Sequence, residues 1–367
     1  MSSREIAIPQ AKLSAHRSCR KPLRAGPRSL PVTEWPRVDQ EAWRDACRPA
    51  CRLQRGGTAS HLADVSRNDF ENRYGAFLGF LDRQKRLDLN AAKAAAHVTA
   101  GNVEDYVAEL QTRVRSVTVW NCVHKLQRVA ELMTTPSAFR WLAEIVNDLA
   151  LVKVPKSKYD RLVMTERLLD AGLTLIAEAE TFAKSDLARA TGVRNGLMIA
   201  LLALCPIRIK NFAALELGRT FLDINGAWWI ALPSGSTKTG KTDERRVPGL
   251  LNSAIESYIN KHRQILMRPH RPTNALWLAS ADGRPLTNMG MLITKITRQT
   301  IGIAVSPHLF RTAAASTAAV YGGNNLHLAS ALLQHTHPRV TEDHYNRASS
   351  MSAVTEYAAI TDAFRCK

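Results

Sequence analysis

The chain ends in a run of chemically capable side chains. PHLFRTAAAS (Pro307 to Ser316) holds His308 and Arg311 three residues apart, so a helix would present both on one side. LLQHTHPRVTEDHYNRA (Leu332 to Ala348) adds His335, His337, His344 and Tyr345. Two more candidates lie upstream. Arg208 follows an apolar run in LLALCPIRIKNFAALEL, and Lys238 sits in the turn-rich STKTGKTDERRVP, with Lys241 close behind. Together these residue types suit displacement at a phosphodiester without a metal. Two guanidiniums can clamp the charged non-bridging oxygens. A tyrosine hydroxyl can attack phosphorus and hold it covalently. A lysine on a turn can protonate the leaving 5′ oxygen, and histidine can move the nucleophile's proton near neutral pH. No carboxylate cluster of the two-metal kind stands near these residues. Taken singly each has an ordinary reading: a surface arginine, a solvated lysine, a half-buried tyrosine. Order and spacing carry the functional one.

The elements that must position them are mostly helical. FENRYGAFLGFLDRQKRL, TAGNVEDYVAELQTRV, SVTVWNCVHKLQRVAELM and PSAFRWLAEIVNDLAL read as four amphipathic helices, the second with Thr99 as its cap. VKVPKSKYDR is basic and poor in core residues, and reads as a linker. Long helices resume with LVMTERLLDAGLTLIAEAETFA and ATGVRNGLMIALLALCPIRIKNFAALEL. The period then changes, and TFLDINGAWWIALPSG with its Asn-Gly step predicts a small antiparallel sheet. Ser306-Pro307 predicts a helix start directly ahead of His308 and Arg311. The expected fold is therefore mainly α within the α+β class, not a doubly wound sheet. The expected divisions are a basic, flexible amino-terminal extension over 1–62, a helical module over 63–151, a linker over 152–161, a second domain over 162–350 and a tail over 351–367.

Composition narrows the partner. The formal net charge of +18 and pI of about 10.0 point to a polyanion, with nucleic acid first. No basic amphipathic helix favours a membrane surface. The amino terminus has no apolar core of signal-peptide length, and the apolar run Leu197 to Ile207 is too short to span a bilayer, so a cytoplasmic location is expected. The six scattered cysteines suit reduced thiols rather than a disulfide framework. Cys47, Cys51 and His61 lack a fourth ligand at zinc-like spacing. No cofactor or metal is expected.

The boxes resemble those of the tyrosine recombinases of the phage-integrase type. VSPHLFRTAAAS is similar to the His-x-x-Arg box, and LLQHTHPRVTEDHYNRA to the Leu-Leu-Gly-His box with its following tyrosine. CPIRIKNFAALEL is similar to the first-arginine box, and STKTGKTDERRVP to the β-hairpin lysine. The match runs in order from Leu162 to Ala348. The four-helix module resembles the family's core-binding domain by pattern alone. The resemblance implies Tyr345 as nucleophile forming a 3′-phosphotyrosyl link. It implies Arg208 and Arg311 on the pentacoordinate phosphorus, Lys238 as proton donor to the 5′ oxygen, His308 as general base and acid, and His335 on a non-bridging oxygen. It further implies two domains clamped in a C shape around double-stranded DNA. Four protomers would join two recombination sites through a Holliday junction, with the tail contacting a neighbour and accessory proteins as further partners.

The sequence departs from the family pattern at Gln334, where a glycine is usual, and at Asn211, where an acid is usual. Lys241 competes with Lys238, His337 with His335, and Tyr357 with Tyr345. The contexts Thr-Lys-Thr-Gly and Leu-Leu favour Lys238 and His335, while Tyr321, next to Gly-Gly, suits a structural role. There are two rival functions: relaxation of supercoils by a type IB topoisomerase-like reaction, which would use nearly the same residues, and DNA binding by a regulator or accessory protein that has lost catalysis.

Overall fold

The computed structural model describes residues 29–155, 159–237, 240–267, 272–321 and 328–333. The chain divides into two compact units, Met1–Lys156 and Ser157–Lys367, each with its own apolar core. The division falls inside the basic stretch from Val152 to Arg161.

The first unit is helical: α1 (Arg37–Ala46), α2 (Asp64–Arg83), α3 (Ala100–Arg113), α4 (Ser116–Met133) and α5 (Arg140–Val152). Helix α3 starts where the Thr99 hydroxyl accepts the amide of Asn102 at 3.3 Å. Along α4, Val119, Cys122, Val123, Leu126, Ala130 and Met133 recur every three or four residues and are buried, so this helix packs against α1, α2, α3 and α5.

Helix α1 lies inside the stretch expected to be a flexible extension, and from residue 29 onward that stretch is part of the fold. Leu30, Trp35, Trp43, Ala46 and Ala59 are buried in the unit's core. Asp39 is buried as well. Its carboxylate accepts the Tyr74 hydroxyl at 2.7 Å and the Ala95 amide at 2.7 Å, and burial raises its pKa above the usual carboxylate range. Val38, Ala42, Trp43 and Ala46 do recur at helical spacing, but the run is short and set among Arg and Pro. Residues 1–28 lie outside the described residues.

The second unit opens with α6 (Thr165–Phe182), α7 (Asp186–Leu204) and the short α8 (Ile209–Ala213). A three-stranded antiparallel sheet follows, β1 (Phe221–Ile224), β2 (Ala227–Leu232) and β3 (Asp243–Arg246), in that spatial order. Next come α9 (Asn252–Ser257), a π-helical turn Tyr258–His262, α10 (Arg263–Leu266), α11 (Met289–Ile301), α12 (Pro307–Tyr321) and α13 (Leu328–Leu333). The architecture is mostly helical with a small antiparallel sheet, as expected. Asn225 and Gly226 turn the β1–β2 hairpin at φ of 53° and 76°, the double positive φ that a two-residue hairpin with the right twist requires.

Helix α7 is the spine of this unit. It has 19 residues, more than the apolar run Leu197 to Ile207, and by length and composition alone it could cross a membrane; 61% of its apolar window is buried inside the unit. It lies almost backbone to backbone on α6. A Cβ on Gly196 would stand 2.6 Å from the Gly172 carbonyl oxygen, and one on Gly172 would stand 2.7 Å from the Ala200 amide nitrogen. Gly192, Gly196 and Ala200 form a strip of small residues one turn apart that permits this approach.

Candidate active site

The loop after α7 delivers the first arginine. Cys205 still donates its amide to Leu201 (2.7 Å), but Pro206 has no amide to continue the helix. Arg208 then becomes the N-cap residue of α8 in extended backbone, its carbonyl accepting the amides of Asn211 (2.9 Å) and Phe212 (3.0 Å). Its side chain is half-buried.

Helix α12 delivers the second. It begins at Pro307, with the Ser306 carbonyl accepting the Leu309 amide at 2.8 Å. Leu309, Phe310, Ala313 and Ala314 anchor its inner side in the core, which fixes Arg311 beside the end of α7. Arg311 donates Nη1 to the Pro206 carbonyl and Nη2 to the Leu333 carbonyl (2.7 Å). One guanidinium thus ties the α7–α8 loop to the end of α13, two residues before His335. Burial, then repulsion from Arg208 and Arg245, pushes its pKa down to about 10, with Asp243 acting in the opposite direction. It therefore stays charged at neutral pH. Its two carbonyl bonds use two of five N–H donors, and donors remain for an anion.

The third component comes from the sheet. Asp243 and Arg245, two apart on β3, point to the same side of the strand. Across the ladder they stand opposite Leu232 and Ile230, both buried core residues. The carboxylate takes Nε of Arg245 at 2.7 Å and Nη2 at 2.9 Å, and the two side chains are only 9% and 12% exposed. Arg245 and Asp243 also act from opposite directions on the buried Cys205 thiol, whose pKa burial pushes up to about 12. Arg208, Arg311, Arg245 and Asp243 therefore share one neighbourhood around the end of α7.

His308 occupies the first turn of α12, one turn before Arg311, and is exposed at the rim. Lys238 lies outside the described residues; of its sequence neighbours, the Thr237 hydroxyl donates to the Lys241 carbonyl (2.6 Å), and Gly240, at φ 68°, donates its amide to the Thr237 carbonyl (3.3 Å). Lys241 is exposed. His335, His337, Tyr345 and Tyr357 lie outside the described residues. Tyr321, the last residue of α12, is exposed. Sequence reasoning took only a lysine from STKTGKTDERRVP and passed over Asp243 and Arg245. Their signal was the alternation itself, since Asp-x-Arg shares one strand face while Glu244 and Arg246 share the other.

Paired guanidiniums beside a histidine, on a helical frame with a lysine-bearing hairpin, make a centre suited to holding a phosphodiester. No family model matches the chain. The curated tyrosine recombinase XerC of Anoxybacillus flavithermus (strain DSM 21510 / WK1) is 28% identical over 292 residues, covering 75% of this chain and 87% of that protein. Over most of its length the chain is accordingly similar to a curated tyrosine recombinase. Among solved structures, XerA recombinase is 15% identical, with 82% of this chain and 94% of that chain covered and a TM-score of 0.37. The XerH site-specific recombinase, in a post-cleavage complex with palindromic difH substrate, is 12% identical, with 91% and 100% covered and a TM-score of 0.45. At these TM-scores neither likeness bears on where residues sit.

Proposed function

We propose that the chain is a site-specific DNA recombinase that breaks and rejoins duplex DNA through a tyrosyl–phosphate bond. The observation that carries the reading is the convergence of Arg208 and Arg311 from separate elements, 103 positions apart in a chain whose boxes follow the family order. Two positive forks, that of Arg311 held by two backbone carbonyls, match the charge on a pentacoordinate phosphorus. In this reading Tyr345 attacks and leaves DNA as a 3′-phosphotyrosyl ester. His308 takes the hydroxyl proton, Lys238 protonates the departing 5′ oxygen, and His335 bonds a non-bridging oxygen. Rejoining reverses these transfers with a different 5′ hydroxyl. The ester keeps the energy of the broken phosphodiester, so the reaction requires neither a nucleotide cofactor nor a metal. Exchange between two duplexes passes through a Holliday junction in a tetramer, in the service of a mobile element or replicon in the cytoplasm. The net charge of +18 supports a long DNA contact with steep salt dependence.

The test is covalent capture. Nicked suicide duplexes carrying a library of crossover sequences are incubated with the full chain in chelator and resolved on a denaturing gel. The adduct is digested and its DNA-bearing peptide identified by mass spectrometry. The expected peptide carries Tyr345. DNA on Tyr357 would reassign the nucleophile, and tight DNA binding with no adduct at any sequence would leave a binding protein.

A further inference from the structure

A strand that packs one face on a core normally presents apolar side chains there. β3 does not. Its inward positions are Asp243 and Arg245, set against Ile230 and Leu232 of β2, while Glu244 and Arg246 point outward. A buried ion pair at such a place is a poor device for stability, because two apolar residues of similar volume commonly do as well or better. Local rules broken in this way concentrate at functional sites. The place is specific too. The pair is close enough to Cys205 to act on its thiol electrostatically; the neighbouring Pro206 gives its carbonyl to Arg311, and Arg208 follows two residues later.

We infer that Asp243 is the positioning carboxylate of the arginine cluster, holding Arg245 in a two-pronged bond and setting the orientation of the phosphate-binding Arg208 and Arg311 above it. This rests on the function proposed above and deepens it. Among the described residues, the charged groups that act on Arg311 are Arg208 from the start of α8 and Arg245 and Asp243 from β3. Three like charges repel, and among the described residues Asp243 is the acid that offsets them. Its electrostatic effect on Arg311 is opposite to that of the two arginines. Asn211, one turn along α8 from Arg208, is neutral and cannot do this. With Asp243 in place the guanidiniums keep a fixed spacing before DNA arrives, and a phosphate meets donors already aimed.

Two variants separate positioning from packing: Asp243→Asn, and the double replacement Asp243→Leu with Arg245→Met, which fills the same space without charge. Asp243→Glu is the conservative control. Each full chain is checked by thermal unfolding and by binding to the duplex that captures the wild type. The rate of adduct formation is then measured on that nicked duplex with either a phosphodiester or a methylphosphonate at the scissile position. The methylphosphonate lacks the negative charge that the arginines neutralise. Both charge-removing variants are expected to fold, to bind DNA and to lose roughly 10- to 100-fold in rate on the phosphodiester, the scale of a misplaced catalytic group. The loss should shrink several-fold on the methylphosphonate, and Asp243→Glu should recover most of the rate. A double variant that cleaves like wild type overturns the inference. So does an equal loss on both substrates together with a lowered melting temperature, which would mark a packing role. If the wild type forms no adduct on any duplex, the proposed function itself fails and takes this inference with it.

Discussion

Replacing Arg311 by alanine should abolish covalent capture of DNA while leaving DNA binding largely intact. Three losses act together. In the proposed function the site loses a fork for the non-bridging oxygens as charge builds on them, an effect on the order of 10³-fold or more for a transition-state arginine. The Pro206 carbonyl loses its donor, which frees the loop that presents Arg208. The Leu333 carbonyl loses its donor, which detaches the end of α13 just ahead of His335. Arg311→Lys should fall between, about 10²-fold down, since it keeps a charge but cannot bond two carbonyls and a phosphate from one planar group. Affinity for the captured duplex should change by less than about tenfold, because in the proposed function the backbone contacts would be spread over many of the chain's other Lys and Arg. Single-turnover capture kinetics beside a binding isotherm check this. An alanine variant that cleaves within tenfold of wild type would remove Arg311 from the centre.

The second large effect is on folding. Gly196→Ala should destabilise the chain even though alanine is the better helix former by about 1 kcal/mol. The new methyl would stand 2.6 Å from the Gly172 carbonyl oxygen, 2.7 Å from Cγ1 of Ile176 and 2.9 Å from its amide nitrogen. Two of those three neighbours are backbone and can yield only if α6 and α7 move apart, which opens this close crossing. Overpacking of this kind costs about 1–3 kcal/mol beyond the propensity gain, or roughly 3–10 °C in melting temperature for a unit of this size. Gly196→Leu should leave the chain insoluble. Gly101→Ala, in α3 with nothing within 4 Å of the new methyl, is the matched control and should be neutral or slightly stabilising. Thermal unfolding of the three chains decides it, and a Gly196→Ala melting point at or above wild type would refute the close crossing.

What could be read in advance follows from the length scale of each signal. Helices of several turns announce themselves by period, and the Asn-Gly hairpin by a turn that few residue pairs can make, so the mostly helical fold with its small sheet was legible. Arg208 and Arg311 were legible as a pair because each sits in a patterned box. The sheet's contribution was not. Asp243 and Arg245 lie in a short polar run where charges are the norm, and only the β2 register shows that they face inward. The α6–α7 crossing was hidden for a related reason: glycine inside a helix reads as a weakness until the facing backbone is known. Helix α1 was missed because its burial depends on partners such as Tyr74, 35 residues from Asp39. Its apolar seam of Val38, Ala42, Trp43 and Ala46 is only ten residues long and was passed over among the surrounding Arg and Pro.

That last feature sets where the chain can be cut. A fragment beginning at residue 63 keeps α2 to α5 but exposes the surfaces that Trp35 and Trp43 cover, and strips Tyr74 and the Ala95 amide of their buried acceptor. Such a piece would carry an open apolar trough and would collapse or aggregate, and its failure to bind DNA would say nothing about the recognition surface. Limited proteolysis and domain dissection of this chain should therefore place their first boundary upstream of Leu30. The tryptophan seam would then travel with the helices that it closes.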